Sequence, residues 1–246
     1  MDDFIFGIRA AMEAISAGKD IEKVLLQVKL ESELHQELFK ILRDKGIPFQ
    51  FVPVEKLNRI TRKNHQGVIA MISQIEYTSL DEIIAGSYES GKDPFILILD
   101  HISDVRNFGA IARTAECAGM NGIVIPGKGS VSISADAVKT SAGALMSLPV
   151  AKVKSLKESV MFLKEAGLTV IAATENTDTL IYDADLTGPI AIIMGAEDNG
   201  ISRDLLDLSD YRVKIPLYGK IESLNVSVAA SVIIYEIIRQ RIKADN

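Results

Sequence analysis

The chain has 246 residues, 48% hydrophobic and 24% charged, with a formal net charge of -6. Such a balance belongs to a globular protein with a substantial core; it excludes a disordered chain and argues against a general nucleic-acid coat, and no apolar run approaches the roughly 20 residues needed to cross a bilayer. The single cysteine, Cys117, excludes an internal disulfide and a cysteine-rich zinc site; its alanine-rich helical setting predicts a buried thiol, and the opening Met1-Asp2-Asp3, with no basic leader segment, predicts a cytoplasmic protein.

In chain order, residues 1–73 form a small α/β unit. "GIRAAMEAISAG" (7–18) has helical spacing ending at a glycine, "KVLLQV" is strand-like, and "ESELHQELFKILRDKG" is an amphipathic helix closed by Gly46. "PFQFVP" and "GVIAMIS" supply further strands. Between them "KLNRITRKNHQG" (56–67) holds Lys56, Arg59, Arg62 and Lys63 with no acid, a solvated face that is also compatible with a phosphate-tracking patch. Residues 74–94 turn polar, acidic and glycine/serine-containing, and predict a linker.

From Phe95 the pattern alternates. "FILILD" is a continuous apolar run, as in a parallel strand buried on both faces. A helix over 107–119, the strand "GIVIP", a helix over 134–146, "VAKV", a helix over 155–166, "LTVIAAT", "PIAIIMG", a short helix near 202–208, "YRVKIP" and a long final helix follow. This alternation predicts a mostly parallel sheet covered by helices, with ligands bound beyond the carboxyl ends of its strands.

Three strand ends concentrate chemistry. After the first strand, "DHISDVRNFGAIARTAECAG" offers Asn107 as a helix cap, Gly109 where a backbone or ligand comes close, and Arg113 on a helix of small residues. "IMGAEDNGIS" sets Gly195 directly after a buried strand, with Glu197 and Gly200 in the following loop; this is not the GxGxxG spacing of a dinucleotide cradle. "IPLYGKIESLNVSVAASV" alternates Ser223, Asn225 and Ser227 with Leu224, Val226 and Val228 at a helix entry, where one cap suffices; Ser223 is the expected cap. An amide at Asn225, with donors and an acceptor, suits a ligand edge better than a core. His35, His65 and His101 have no ligand spacing, so no metal is expected.

Together, "NFGAIARTA", "MGAEDNGIS" and "IPLYGKIESLNVSVAASV", in that order over residues 95–243, resemble the SpoU (TrmH) family of the SPOUT class, S-adenosylmethionine-dependent RNA ribose 2'-O-methyltransferases. "FGIRAAMEAI" and "NHQGVIAMI" resemble the substrate-binding domain of its two-domain members, closest to the branch acting on a guanosine of large-subunit (23S) ribosomal RNA. The resemblance implies an α/β fold whose C-terminal, mostly parallel sheet (95–246) carries a deep trefoil knot, preceded by a small α/β RNA-binding domain. It implies S-adenosylmethionine as cofactor, a homodimer, and structured RNA as partner. Carried over by motif, Asn107, Arg113, Glu197, Ser223 and Asn225 form the catalytic set, with Asn107 orienting Arg113 and Glu197 pairing with it or anchoring its loop. Thr174, Gly195, Ile215 and Leu224 hold the cofactor.

A guanidinium retains its proton firmly, so an electrostatic role for Arg113 on the ribose and adjacent phosphate asks less of it than a role as base. Arg59, Arg62, Lys63 and His65 are the candidates for RNA contact. The small-residue, apolar face of the last helix (Val228, Ala229, Val232, Ile233, Tyr235, Glu236) suggests packing against a second copy. The rival readings are the same chemistry on transfer RNA, an RNA-binding accessory protein without catalysis, and a nucleotide-binding oxidoreductase, the last lacking its glycine fingerprint.

Overall fold

The computed structural model describes residues 4–29, 32–196 and 198–244. They fall into two compact units, Met1–Glu76 with Ser132–Ala135, and Tyr77–Val131 with Asp136–Asn246.

In the first unit the elements run β1 (Phe4–Phe6), α1 (Ile8–Ser16), β2 (Ile21–Gln27), α2 (Glu33–Asp44), β3 (Phe49–Val52), α3 (Val54–Ile60) and β4 (Val68–Ile72). The sheet order is β1-β4-β2-β3, with β4 antiparallel to both neighbours and β3 parallel to β2. The period of two along β2 decides which side chain faces which helix. Val24 and Leu26 pack with Ala11, Ile15, Leu38 and Leu42 of α1 and α2, whereas Leu25 packs with Val52, Leu57 and Ile69. Ser32 caps α2 by accepting from the His35 amide. Two elements were not legible from the sequence: the three-residue β1, and α3, which carries part of the basic run.

The second unit contains α4 (Leu80–Glu89), β5 (Phe95–Asp100), α5 (Val105–Cys117), β6 (Gly122–Pro126), α6 (Ala135–Thr140, its first residue grouped with the first unit), a 3-10 turn (Ala144–Met146), β7 (Val150–Val153), α7 (Leu156–Glu165), β8 (Thr169–Ala173), β9 (Ile190–Gly195), α8 (Arg203–Leu208), β10 (Tyr211–Val213) and α9 (Val226–Ala244). Its six strands are all parallel in the order β10-β8-β9-β5-β6-β7. The central β5 and β9 are buried on both faces, matching their unbroken apolar sequences. Burying each such Ile or Leu contributes about 1.5–3 kcal/mol, which makes these strands the anchor for the loops at their carboxyl ends.

Three expectations differ. Residues 74–94 are not a bare linker: Ser79 and Glu82 form a capping box that starts α4, and Leu80, Ile83 and Ile84 enter the core with Ile96, Ile98 and Val124. Acidic residues at the start of a helix, favoured by its dipole, had lent the segment the composition of a loop. The helix expected over 134–146 breaks after Thr140, where Ala142 (φ 53°) and Gly143 (φ 89°) turn the chain. Cys117 is exposed at the end of α5.

Candidate active site

A cleft of about 470 Å³ opens beyond the carboxyl ends of β8, β9 and β10. Its walls come from Ala173 to Asn176, Met194 to Ala196, Asp198 to Ile201, Val213 to Ile215, and the run Glu222 to Leu224 leading into α9. Thr174 at the end of one strand, Gly195 from the second motif, and Ile215, Ser223 and Leu224 from the third all line it. The floor is apolar, whereas Glu175, Asp198 and Glu222 bring three carboxylates and Lys214 one ammonium. Lys214 lies 3.7 Å from Asp178, so the described charges of the cleft sum to a negative field.

The polarity of the stretch 223–227 has a geometric explanation. Asn225, not Ser223, is the residue at the helix boundary: its carbonyl accepts from the amides of Val228 (3.0 Å) and Ala229 (2.9 Å). Its Oδ1 accepts from the Ser227 amide at 3.0 Å and the Ser227 hydroxyl at 2.6 Å, the geometry of a side-chain N-cap. Its Nδ2 then donates to Asn107 Oδ1 at 3.0 Å, 118 residues earlier in the chain. One amide thus caps α9 and ties it to α5. A second tie lies two turns on, Thr114 Oγ1 to Ser231 Oγ at 3.1 Å. Asn107 is not a cap either: Asp104 caps α5, accepting from the Arg106 and Asn107 amides at 2.9 and 2.8 Å.

Gly195 is required by its own chain. A Cβ there would strike the backbone of Gly200 and Ile201, which folds back on the strand through Gly200 N–H donating to Ala196 O at 2.8 Å. Gly200 has φ 63°. The loop is held from the other side by Asp100, 2% exposed at the end of β5, whose Oδ2 accepts from the Ser202 amide at 2.7 Å. Its Oδ1 lies 2.6 Å from His101 Nδ1. Sequence reading passed over Asp100; a carboxylate ending an otherwise apolar buried strand was the available signal. Gly109, likewise, admits a neighbouring segment, Thr140 and Ser141.

Arg113 is exposed on α5 and does not line the cleft. Six positions on an α-helix amount to about 9 Å of rise and about 240° of rotation, so Asn107 and Arg113 occupy different faces; Asn107 Oδ1 accepts from Asn225. Glu197 lies outside the described residues. In the first unit Arg59, Arg62 and Lys63 are exposed, and Lys63 Nζ sits 5.5 Å from the Phe6 ring centroid. His65 is buried, with Nε2 2.9 Å from Asn58 Oδ1 and Nδ1 accepting from the Gly67 amide at 3.0 Å. Its ring pins the turn into β4. Among the described residues no group of His, Cys, Asp and Glu could hold a metal.

Residues 94–235 match the SpoU rRNA Methylase family, and residues 4–78 match the domain described as RNA 2'-O ribose methyltransferase substrate binding. The chain is 33% identical over 239 residues to YacO of Bacillus subtilis (strain 168), assigned to the TrmH family of tRNA/rRNA methyltransferases, covering 97% of this chain and 96% of that protein. A Staphylococcus aureus (strain MSSA476) relative with the same assignment is 37% identical, covering 98% and 97%. Among solved structures, the SpoU methyltransferase AviRb from Streptomyces viridochromogenes in complex with AdoMet superimposes with a TM-score of 0.62 at 26% identity, over 98% of this chain and 90% of that one. With its parallel six-stranded sheet, its cleft at three strand ends and matches along nearly its whole length, this chain belongs to the SpoU methylase family.

Proposed function

We propose that the protein transfers a methyl group from S-adenosylmethionine to a ribose 2'-hydroxyl of structured RNA, with a guanosine of 23S ribosomal RNA as the target. The observation that carries this reading is the convergence of Thr174, Gly195, Ile215, Ser223 and Leu224 on one cleft. S-adenosylmethionine is the family's methyl donor, and the cleft's chemistry suits it. At neutral pH it carries one net positive charge, in its sulfonium and ammonium groups less its carboxylate, and the cleft presents three carboxylates against one paired lysine. Its adenine matches the apolar floor of Ala173, Met194, Val213 and Leu224. When bound, the sulfonium supplies an activated methyl group.

This chain's residues then have positional work. Asn225, held by Ser227 and Asn107, fixes the entry of α9 at the cleft's edge. Ser223 borders the cleft where a ribose would approach. Arg113, exposed and paired with no acid among the described residues, is available to a phosphate. Because it lies outside its own chain's cleft, we read the working site as composite, with Arg113 of one copy serving the cleft of another in a two-fold dimer. Val228, Tyr235 and Ile242 support this: they are 48%, 50% and 59% exposed at intervals of seven along α9, an uncovered apolar stripe. The expected face is narrower than composition implied, since Ile233 and Glu236 point into their own fold. The chain from β10 to α9 crosses the carboxyl ends of β8 and β9 to reach α5, the path we assign to the knotted segment. Arg59, Arg62 and Lys63 are the proposed basic contact to RNA.

Transfer RNA is the second reading, favoured by the tRNA/rRNA assignment of the relatives. Mapping ribose methylation in ribosomal and transfer RNA from cells with and without the protein decides between them. The expected result is one lost 23S methylation; a lost transfer-RNA mark replaces that target, and no lost mark removes the activity. Ala229→Leu, which fills the cleft from α9, is expected to weaken S-adenosylmethionine binding at least about tenfold by calorimetry; undiminished affinity would place the cofactor elsewhere.

A further inference from the structure

The first unit carries an aromatic surface that no part of the methyl-transfer reading uses. Phe39 of α2 and Phe49 and Phe51 of β3 form one cluster. Their ring centroids are 5.0 Å (Phe39–Phe49), 5.9 Å (Phe49–Phe51) and 6.1 Å (Phe39–Phe51) apart. Phe39 and Phe49 are half-buried against the unit's core, so they fix the arrangement. Phe51 rests on them and is 54% exposed. The Arg43 guanidinium carbon stands 5.0 Å from the Phe39 centroid.

The neighbourhood narrows what can bind. Among the described residues β3 is an edge strand, paired with β2 alone. On α2 a 3.6-residue period puts Phe39 and Arg43 on one stripe and turns Glu33, Glu37 and Asp44 about 120–160° away from Phe39. The aromatic face therefore carries a cation and no acid from that helix. It is also the face opposite α3: Val52 of β3 packs with Leu57 of α3, whereas Phe49 packs with the α1–α2 core. The cluster is thus distinct from the basic Lys56–Lys63 run.

We infer that Phe51, backed by Phe39 and Phe49, is a stacking platform for an unpaired nucleobase of the substrate RNA, with Arg43 beside it for the neighbouring phosphate. Every base offers a π-face, and phenylalanine has no polar handle, so the platform selects an unstacked base without reading its identity. Arg43 above a ring supplies the cation that single-stranded sites pair with such surfaces. A hydrophobic protein segment would gain nothing from Arg43, and a pairing β-strand would use the edge backbone rather than the ring.

This inference rests on the proposal that RNA is the substrate, and the test separates the two. The full-length protein, wild type and Phe51→Ala, is titrated with a hairpin RNA bearing 2-aminopurine in its loop and with a fully paired duplex of equal length. The expected result is loop binding weakened roughly five- to 150-fold, the range of base–aromatic stacking, with duplex and S-adenosylmethionine binding unchanged. Phe51→Trp should restore or tighten loop binding and deepen the 2-aminopurine quench, and Arg43→Gln should lower the salt slope for the hairpin by about one. Equal losses on hairpin and duplex, or none on either, overturn the platform and leave the RNA reading standing. A wild-type protein that binds neither RNA overturns both. A change of oligomeric state in Phe51→Ala by light scattering makes the cluster a protein interface and also overturns the platform.

Discussion

Asn225 shows how much one side chain decides. Its oxygen caps α9 through Ser227 and its nitrogen reaches Asn107, so the two functions can be separated by substitution. Asn225→Asp keeps an acceptor for the Ser227 amide and places a negative charge at a helix start, while losing the donor to Asn107. Asn225→Ala loses both, with a cap contribution of about 1 kcal/mol. Urea unfolding is expected to find the Ala variant less stable than the Asp variant, with methyl transfer lost in both; equal destabilisation would deny the capping role. The sequence announced that Asn225 was surplus to a simple cap, because Ser223 looked sufficient. It did not announce the partner, since a contact across 118 positions leaves no local pattern. Gly195 was legible as a constrained position but for another reason: the atom that forbids a side chain belongs to Gly200, in a turn whose path depends on Asp100 across the sheet.

At the level of elements, α9 combines an exposed stripe with a buried charge. Glu236, 7% exposed, accepts from Arg239 Nε and Nη2, both at 2.8 Å, and from Gln240 Nε2 at 2.9 Å. Gln240 continues to the Ala184 carbonyl and accepts from the Leu186 amide, pinning the long connection between β8 and β9. The hydrogen bond from Arg239 holds the Glu236 carboxyl below its ordinary value, against the opposing effect of burial. The folded state therefore keeps the charge while the unfolded state takes up a proton, and the stabilisation is present above about pH 4.3 and lost as pH falls through the lower folded value. Glu236→Gln is expected to flatten that acid-side loss in thermal melts from roughly pH 5 to 3; an unaltered pH slope would show that other carboxylates carry it. Periodicity found α9 and the parallel strands because their apolar residues repeat over many positions. It missed α3, where basic residues mask a single buried Leu57, and misjudged α4, whose core residues Leu80, Ile83 and Ile84 are few and stand among polar neighbours.

For the whole molecule, the composite site makes a claim that single-chain variants cannot test. Arg113→Ala is expected to abolish methyl transfer while sparing cofactor binding, and Asn225→Ala to disable the cleft. Mixed dimers of the two regain one working site, about a quarter to a half of normal activity under free exchange. Monomers by light scattering would remove the dimer, and verified mixed dimers without recovery would remove only the sharing. The two-unit organisation and the parallel sheet were legible because composition and rhythm change along the chain. The unit boundary was not, because Ser132–Ala135 group with the first unit although they lie deep in the sequence of the second. The cleft has a further property: its walls are drawn from residues 173–233, and none from the first two strands of the sheet to be made. A chain emerging from the ribosome can form β5 and β6 long before anything can bind beside them. The pocket comes into being only when α9 docks and Asn225 finds Asn107. A bound cofactor would therefore act as a latch on the last step of folding, raising the resistance of α9 to local opening before it raises that of any other helix.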